Sequence, residues 1–277
     1  MAEGVDGLGI IDVSNSSCPF KVGQFTDGGY AEDIFVSGSY AYVAEGVDGL
    51  EIIDISSPSY PTEVGQFNDG GEARGVAVSG SYAYVIGKLE VSDDDGLEII
   101  DISTPSYPTE VGQFNDGGEA RGIAISGSYA YVVVGFFGLE IIDLSTPSYP
   151  TEVSQFDDGG YAEDIFVSGS YAYVAEGVDG LGIIDVSNSS YPFRVGQFTD
   201  GGYAETVFVS GSYAYVADGP DGLDILSITI QIDSVTTTVT SSEITPITSP
   251  GFEMVGLLIA LIGLMITAVI YRRRKNS

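Results

Sequence analysis

The tract SGSYAYV occurs five times, starting at Ser37, Ser79, Ser126, Ser168 and Ser210, so its spacing is 42, 47, 42 and 42 residues. A unit of that length, built from alternating β-branched and aromatic residues with Gly and Asp at its turns, forms one small antiparallel sheet that cannot cover its own faces. Stacked in a ring, such sheets make a β-propeller. The unit at residues 28–69 divides into AEDIFVSG, SYAYVAEG, GLEIIDIS and PTEVGQFND, each bounded by turn residues, and these predict strands a to d of a blade. SGS supplies the a-to-b hairpin, GVDG or DDDG the b-to-c turn, SSPSYP the c-to-d loop, and a repeated DGG leads into the next unit. The expected fold is all-β, a propeller of about five four-stranded blades over residues 1–230.

The two ends of the array are related, because residues 2–32 recur at 175–205 with changes only at Cys18/Tyr191 and Lys21/Arg194. The sequence therefore starts in the middle of a unit, with a c and a d strand, and the final unit lacks a d strand of its own. Two readings are open. Either the N-terminal d strand near residues 21–26 completes the last unit and locks the ring, leaving a surplus c strand, or the N-terminus is truncated and further blades and a signal peptide lie upstream. The second is preferred, since nothing before Gly4 resembles the charged and apolar regions of a secretory signal.

With 44% hydrophobic and 11% aromatic residues the chain has the material for a packed β domain. Nine Lys plus Arg against 40 Asp plus Glu give a net charge of −31, which argues against nucleic acid as a partner. No histidine and a single cysteine, Cys18, exclude an intrachain disulfide and the usual zinc, Ser-His-Asp and Cys-His arrangements. Residues 231–249 turn Ser/Thr-rich and read as an extended stalk. Residues 254–271 carry no charge and predict a transmembrane helix, followed at once by Arg272, Arg273, Arg274 and Lys275. That basic cluster belongs on the cytoplasmic side, which places the propeller outside the membrane.

The repeats resemble the LVIVD repeat of bacterial and archaeal surface proteins, through YAYVAEGVDGLEIIDIS from Tyr40 and YAYVAEGVDGLGIIDVS from Tyr171, over residues 1 to about 228. The resemblance implies a propeller and a surface location and brings no catalytic residues. The C-terminus is similar to the PGF-type sorting signal of archaeal surface proteins: Pro250, Gly251 and Phe252, then the apolar run, then the basic cluster. It implies an archaeosortase-like processing enzyme as partner, removal of the helix, and attachment to the membrane through a lipid; an ordinary C-terminal helical anchor is the alternative.

Chemistry is sparse. In a four-stranded blade the d-to-a and b-to-c connections emerge on one face, which gathers Asp27, Glu45, Asp48, Asp69, Asp93, Asp94, Asp95, Asp116, Asp158, Glu176, Asp179, Asp200, Asp218 and Asp221. Carboxylates in flexible turns suit Ca²⁺, while turn geometry alone also accounts for recurring Asp. No other cofactor is required. Two irregularities interrupt that face: a five-residue insertion around residues 88–95, and Phe136 and Phe137 in place of the Val-Asp of other b-to-c loops. The two phenylalanines form a contact patch or fold back over the neighbouring blade. Asn15 and Asn188 head N-glycosylation sequons in c-to-d loops. Arg74 and Arg121 stand where other units carry Glu32, Glu163 or Glu205 and suggest an inter-blade ion pair.

The reading that follows is a non-enzymatic, membrane-anchored cell-surface propeller for adhesion, envelope structure or recognition of an extracellular protein or glycan. A carboxylate-based surface glycoside hydrolase or lyase is the first alternative, requiring two acids unique to one blade and facing the central channel. A purely architectural envelope subunit is the second.

Overall fold

The computed structural model describes residues 1–229 apart from 6, 91–94, 116 and 158. A two-stranded sheet comes first, β1 (Leu8–Asp12) with β2 (Phe20–Phe25). Four four-stranded sheets follow, each an antiparallel meander in chain order. The first is β3 (Asp33–Ser37), β4 (Tyr40–Ala44), β5 (Leu50–Asp54) and β6 (Thr62–Phe67), and the second is β7 (Glu72–Ser79), β8 (Tyr82–Lys88), β9 (Asp95–Asp101) and β10 (Thr109–Phe114). The third comprises β11 (Gly122–Ser126), β12 (Tyr129–Val133), β13 (Leu139–Asp143) and β14 (Thr151–Phe156); the fourth comprises β15 (Asp164–Ser168), β16 (Tyr171–Ala175), β17 (Leu181–Asp185) and β18 (Phe193–Phe198). A three-stranded sheet ends the array, β19 (Thr206–Ser210), β20 (Tyr213–Ala217) and β21 (Leu223–Ser227). The five sheets that own a, b and c strands are the blades of a five-bladed β-propeller, and β1 with β2 forms a half-blade ahead of them. Among the described residues the only helical element is a 3-10 turn at Gly219–Asp221.

The core lies between blades rather than inside any one of them. Tyr42, Ala44, Leu50 and Ile52 of the first blade pack against Ala73, Val76, Val85 and Ile100 of the second, and equivalent clusters fill the next two gaps between complete blades. Strands covered on both faces read as near-continuous apolar runs, which is why YAYV and LEIID show so little alternation. Each fully buried Leu or Ile contributes about 1.5–3 kcal/mol. Blades are also stitched at their rims: Gly46 bridges Ala73, Gly135 bridges Ala162 and Gly177 bridges Ala204. The half-blade docks by the same rule, through Gly4 with Ala31, and it buries Leu8 against Ala41, Val43 and Ile53.

Ring completion by the N-terminal d strand, the first of the two readings above, does not occur. β2 pairs with β1, its neighbour in sequence, through the same one-residue slip that recurs in every c-to-d pairing. A local pairing closes a short loop, whereas pairing with β21 would close almost the whole array. The outer face of the last blade is uncovered among the described residues: Leu223 and Ile225 are 62% and 59% exposed, where Leu50 and Ile52 of the first blade are 1% and 0% exposed. The stalk, Pro250, Gly251, Phe252, the apolar run 254–271, the cluster Arg272 to Lys275, and Asp93, Asp94, Asp116 and Asp158 lie outside the described residues. Among those described, no helix is long and apolar enough to cross a membrane.

Candidate functional site

On the face formed by the d-to-a and b-to-c connections, the repeated aspartates begin as turn formers. Asp27 Oδ1 accepts the Gly29 N–H at 3.0 Å, Asp69 Oδ1 the Gly71 N–H at 3.0 Å, and Asp200 Oδ1 the Gly202 N–H at 3.2 Å. Each is an Asx turn that holds the DGG corner. Asp48 and Asp179 contribute main-chain carbonyls, which accept Gln66 Nε2 at 2.9 Å and Gln197 Nε2 at 3.0 Å. Asp95, 8% exposed at the start of β9, forms an ion pair with Arg74.

The same face brings together carboxylates that lie far apart in sequence. Oxygens of Asp27, Glu45 and Glu51 all lie within 4.8 Å of one another, and so do oxygens of Asp200, Asp218 and Asp224. Glu45 and Glu51 are each 1% exposed and Asp218 is 3% exposed. Burial above all pushes the Glu45 and Glu51 carboxyls well above the usual range; repulsion from Asp27 comes next for Glu45, and a hydrogen bond with Asp27 followed by repulsion from Glu45 for Glu51. Glu98, the counterpart of Glu51 in the second blade, is pushed up to about 8 by burial and then by Asp69. Glu51 and Asp224 escaped sequence reasoning because they sit inside c strands, where a single acid in an apolar run reads as the solvent-facing residue. The signal was present: Glu51, Glu98 and Glu140 recur at one position of a strand whose neighbours are all apolar.

Near the axis, the Tyr-Ala-Glu of the first, fourth and fifth blades becomes Glu-Ala-Arg in the second and third. Arg121 donates from Nε to the Tyr161 hydroxyl of the next blade at 2.9 Å and lies 3.7 Å from Glu163, so it does join two blades. Arg74 instead pairs inside its own blade, with Glu72 at 3.2 Å and with Asp95. Phe136 and Phe137 are 73% and 54% exposed, and the Phe136 ring meets Tyr161 edge-on at 4.6 Å. Phe136 thus touches the neighbouring blade and still presents most of its surface to solvent. Asp33 and Asp164, on the innermost strands, engage main-chain amides: their Oδ2 atoms accept the N–H of Val76 at 2.9 Å and of Val207 at 3.0 Å.

The opposite face carries an arrangement that sequence reasoning missed. Every complete blade ends its c-to-d turn on a tyrosine, and Tyr60, Tyr107, Tyr149 and Tyr191 are 80%, 75%, 75% and 76% exposed. Their backbones are fixed by turn hydrogen bonds to the carbonyls of Ser57, Thr104 and Thr146 at 2.8 Å and of Asn188 at 2.9 Å. The rings stand free on rigid supports. Asn15 and Asn188 are exposed in the same loops, each accepting the N–H of the residue two places on, at 3.1 Å. Beside Asn188, an open groove of about 360 Å³ is lined by Tyr129, Tyr131, Gly169, Ser170 and residues 186–189.

The repeat family decides the relationship: the LVIVD repeat matches at residues 1–27, 28–69, 70–116, 117–158, 159–200 and 201–229. The chain belongs to the LVIVD-repeat family. Its repeat boundaries coincide with the DGG corners, so each LVIVD repeat is one blade, with the first match on the half-blade. No curated protein matches the chain. Among solved structures it is similar to a functionally unknown protein from Desulfotomaculum acetoxidans, at 17% identity and TM-score 0.66 over 76% of this chain and 69% of that one. It is similar to Kuenenia stuttgartiensis hydrazine synthase, at 15% identity and TM-score 0.65 over 82% and 78%. A third, the computationally designed Ika8 protein, gives 8% identity and TM-score 0.59 over 75% of this chain, which spans only 62% of the designed chain. Likeness at these identities establishes the fold alone.

Proposed function

We propose that this LVIVD-repeat propeller is a non-enzymatic recognition module, held at the cell surface by its C-terminal segment and binding an extended extracellular protein or glycan. The observation that carries the reading is the row of Tyr60, Tyr107, Tyr149 and Tyr191, one per complete blade and all at least 75% exposed. An exposed ring on a fixed turn loses little entropy on binding, and it offers an apolar face together with a polar hydroxyl. Four such rings at the spacing of the blades suit a repetitive ligand engaged at several points, where avidity multiplies a weak single contact. The surface location is supported by the resemblance to PGF-type sorting signals and by the charge-free run followed by the basic cluster. Processing by an archaeosortase-like enzyme and lipid attachment belong to the same proposal.

The test is pull-down of the full-length chain on isolated native cell envelopes, comparing wild type with a variant carrying Tyr→Ser at all four rim positions. Binding is expected to fall by about 100-fold or more in the fourfold variant and by far less in any single one, with melting temperature unchanged. Equal binding by wild type and the fourfold variant would remove the rim from recognition.

A further inference from the structure

We infer that Asp27, Glu45 and Glu51 form a calcium site between the half-blade and the first blade. Three carboxylates converge there within 4.8 Å, two of them 1% exposed. Both oxygens of Glu45 and Oε2 of Glu51 are buried without a hydrogen-bond partner. Asp27 spends Oδ1 on the Gly29 N–H and stands at the exposed edge, giving an entry path. The Gly29 backbone lies close against the Glu45 carboxylate: a Cβ there would lie 2.3 Å from Glu45 Oε2. Buried carboxylates this close together need a positive charge or a proton between them.

Equivalent places elsewhere in the chain show what supplies it. In the fourth blade Glu176 occupies the Glu45 position and is met by Arg194 from the d strand at 2.5 Å, while the c strand carries Gly182. In the half-blade Glu3 is met by Lys21 at 2.6 Å, and the c strand carries Gly9. The glycine leaves room for that pair, since a Cβ on Gly182 would lie 2.5 Å from Glu176 Oε1 in its present position. In the first blade both positions change together: the base becomes Glu63 and the glycine becomes Glu51. The side-chain cation is gone and another acid has arrived, so the counter-charge comes from solution. An all-oxygen set of three carboxylates beside flexible turn backbone is the ligand class of calcium, whereas magnesium keeps several waters and binds through fewer carboxylates. The second and third blades lack the arrangement, with Gly87 and Val134 in place of Glu45, and the last blade repeats it as Asp200, Asp218 and Asp224 with Asp218 Oδ2 buried and unpartnered.

The experiment is calorimetric titration of chelator-stripped full-length chain with CaCl2, and separately with MgCl2, at neutral pH. Saturable calcium binding accompanied by a rise in melting temperature is expected, with magnesium weaker. The double variant Glu51→Gly/Glu63→Arg copies the fourth blade; it is expected to fold without calcium and to bind one equivalent fewer than wild type. Should that variant fail to fold, Asp27→Asn keeps a carbonyl acceptor for the turn, as Asn68 and Asn115 provide one place earlier in the following corners, and it is expected to weaken the same equivalent by about 10-fold or more. No saturable calcium heat in wild type, or an unchanged titration in the folded variant, would mean that protons alone neutralise the cluster and would overturn the site.

Discussion

At the scale of single residues, Asp33 and Asp164 show how one side chain joins two blades. Each caps an amide 43 residues further on in the next innermost strand, a distance that sequence inspection cannot bridge, so both read as ordinary polar positions of a strand. Gly75, Gly122 and Thr206 occupy the place in the other blades. Burial pushes the Asp164 carboxyl up to about 6, with amide hydrogen bonds from Val207 and Ile165 opposing it and repulsion from Asp33 adding to it. Because this folded value lies above the ordinary 3.8, the folded state keeps its proton where the unfolded chain has released it. The stabilisation is complete below the ordinary value and is lost as pH rises through about 6. Asp164→Asn retains a carbonyl acceptor for Val207 and removes the titration, so it is expected to raise stability at neutral pH by about 1–3 kcal/mol, and the gain should vanish in acid. Thermal denaturation across the pH range checks this, and a variant less stable at neutral pH would show that the charge-assisted bonds outweigh burial. The acids of the DGG corners, by contrast, were legible, because a turn is a local object whose residues announce it.

At the scale of elements, the strands follow the runs that alternation and turn residues mark out: AEDIFVSG contains β3, SYAYVAEG contains β4, GLEIIDIS contains β5 and PTEVGQFND contains β6. What no run reveals is the bulge at Val22, Val64, Val111, Val153 and Val195, which slips each d strand by one residue against its c strand. Nor does any run reveal what the next residue on that strand faces. A Cβ on Gly23, Gly65 or Gly112 would meet the carbonyl oxygen of Pro58, Pro105 or Pro147 in the following blade at 1.9, 2.0 and 2.1 Å. In the third blade the position is Ser154, and the following loop carries Ser189 in place of proline. There Ser154 Oγ donates to the Ser189 carbonyl at 2.6 Å. Strand and loop have therefore changed as a pair across a blade boundary. Gly65→Ser is expected to cost about 1–3 kcal/mol through overpacking, while Ser154→Gly costs about 1 kcal/mol for the lost hydrogen bond. Chemical denaturation of both variants measures the difference, and equal costs would show that the proline-bearing loop yields as readily as the other.

At the scale of the whole molecule, an array whose cores lie between blades gains most of its stability from interfaces, so a blade with one neighbour holds less than a blade with two. Leu50 and Leu223 occupy the same c-strand position, yet they are 1% and 62% exposed because, among the described residues, only the first has a following blade against it. Leu50→Ala is expected to cost about 2–5 kcal/mol, as cavity-forming substitutions do, and Leu223→Ala no more than about 0.5 kcal/mol. The four complete blades are also the ones that carry Tyr60, Tyr107, Tyr149 and Tyr191, whereas the half-blade has Cys18 at that place. The proposed recognition rim thus rests on the part of the array expected to open last. Hydrogen exchange on the full-length chain tests the gradient: amides of β8 and β12 should exchange slowest, and those of β1 and β21 first. If β21 proves as protected as β13, the last blade's apolar face is covered in solution, and Leu223→Ala should then cost as much as Leu50→Ala.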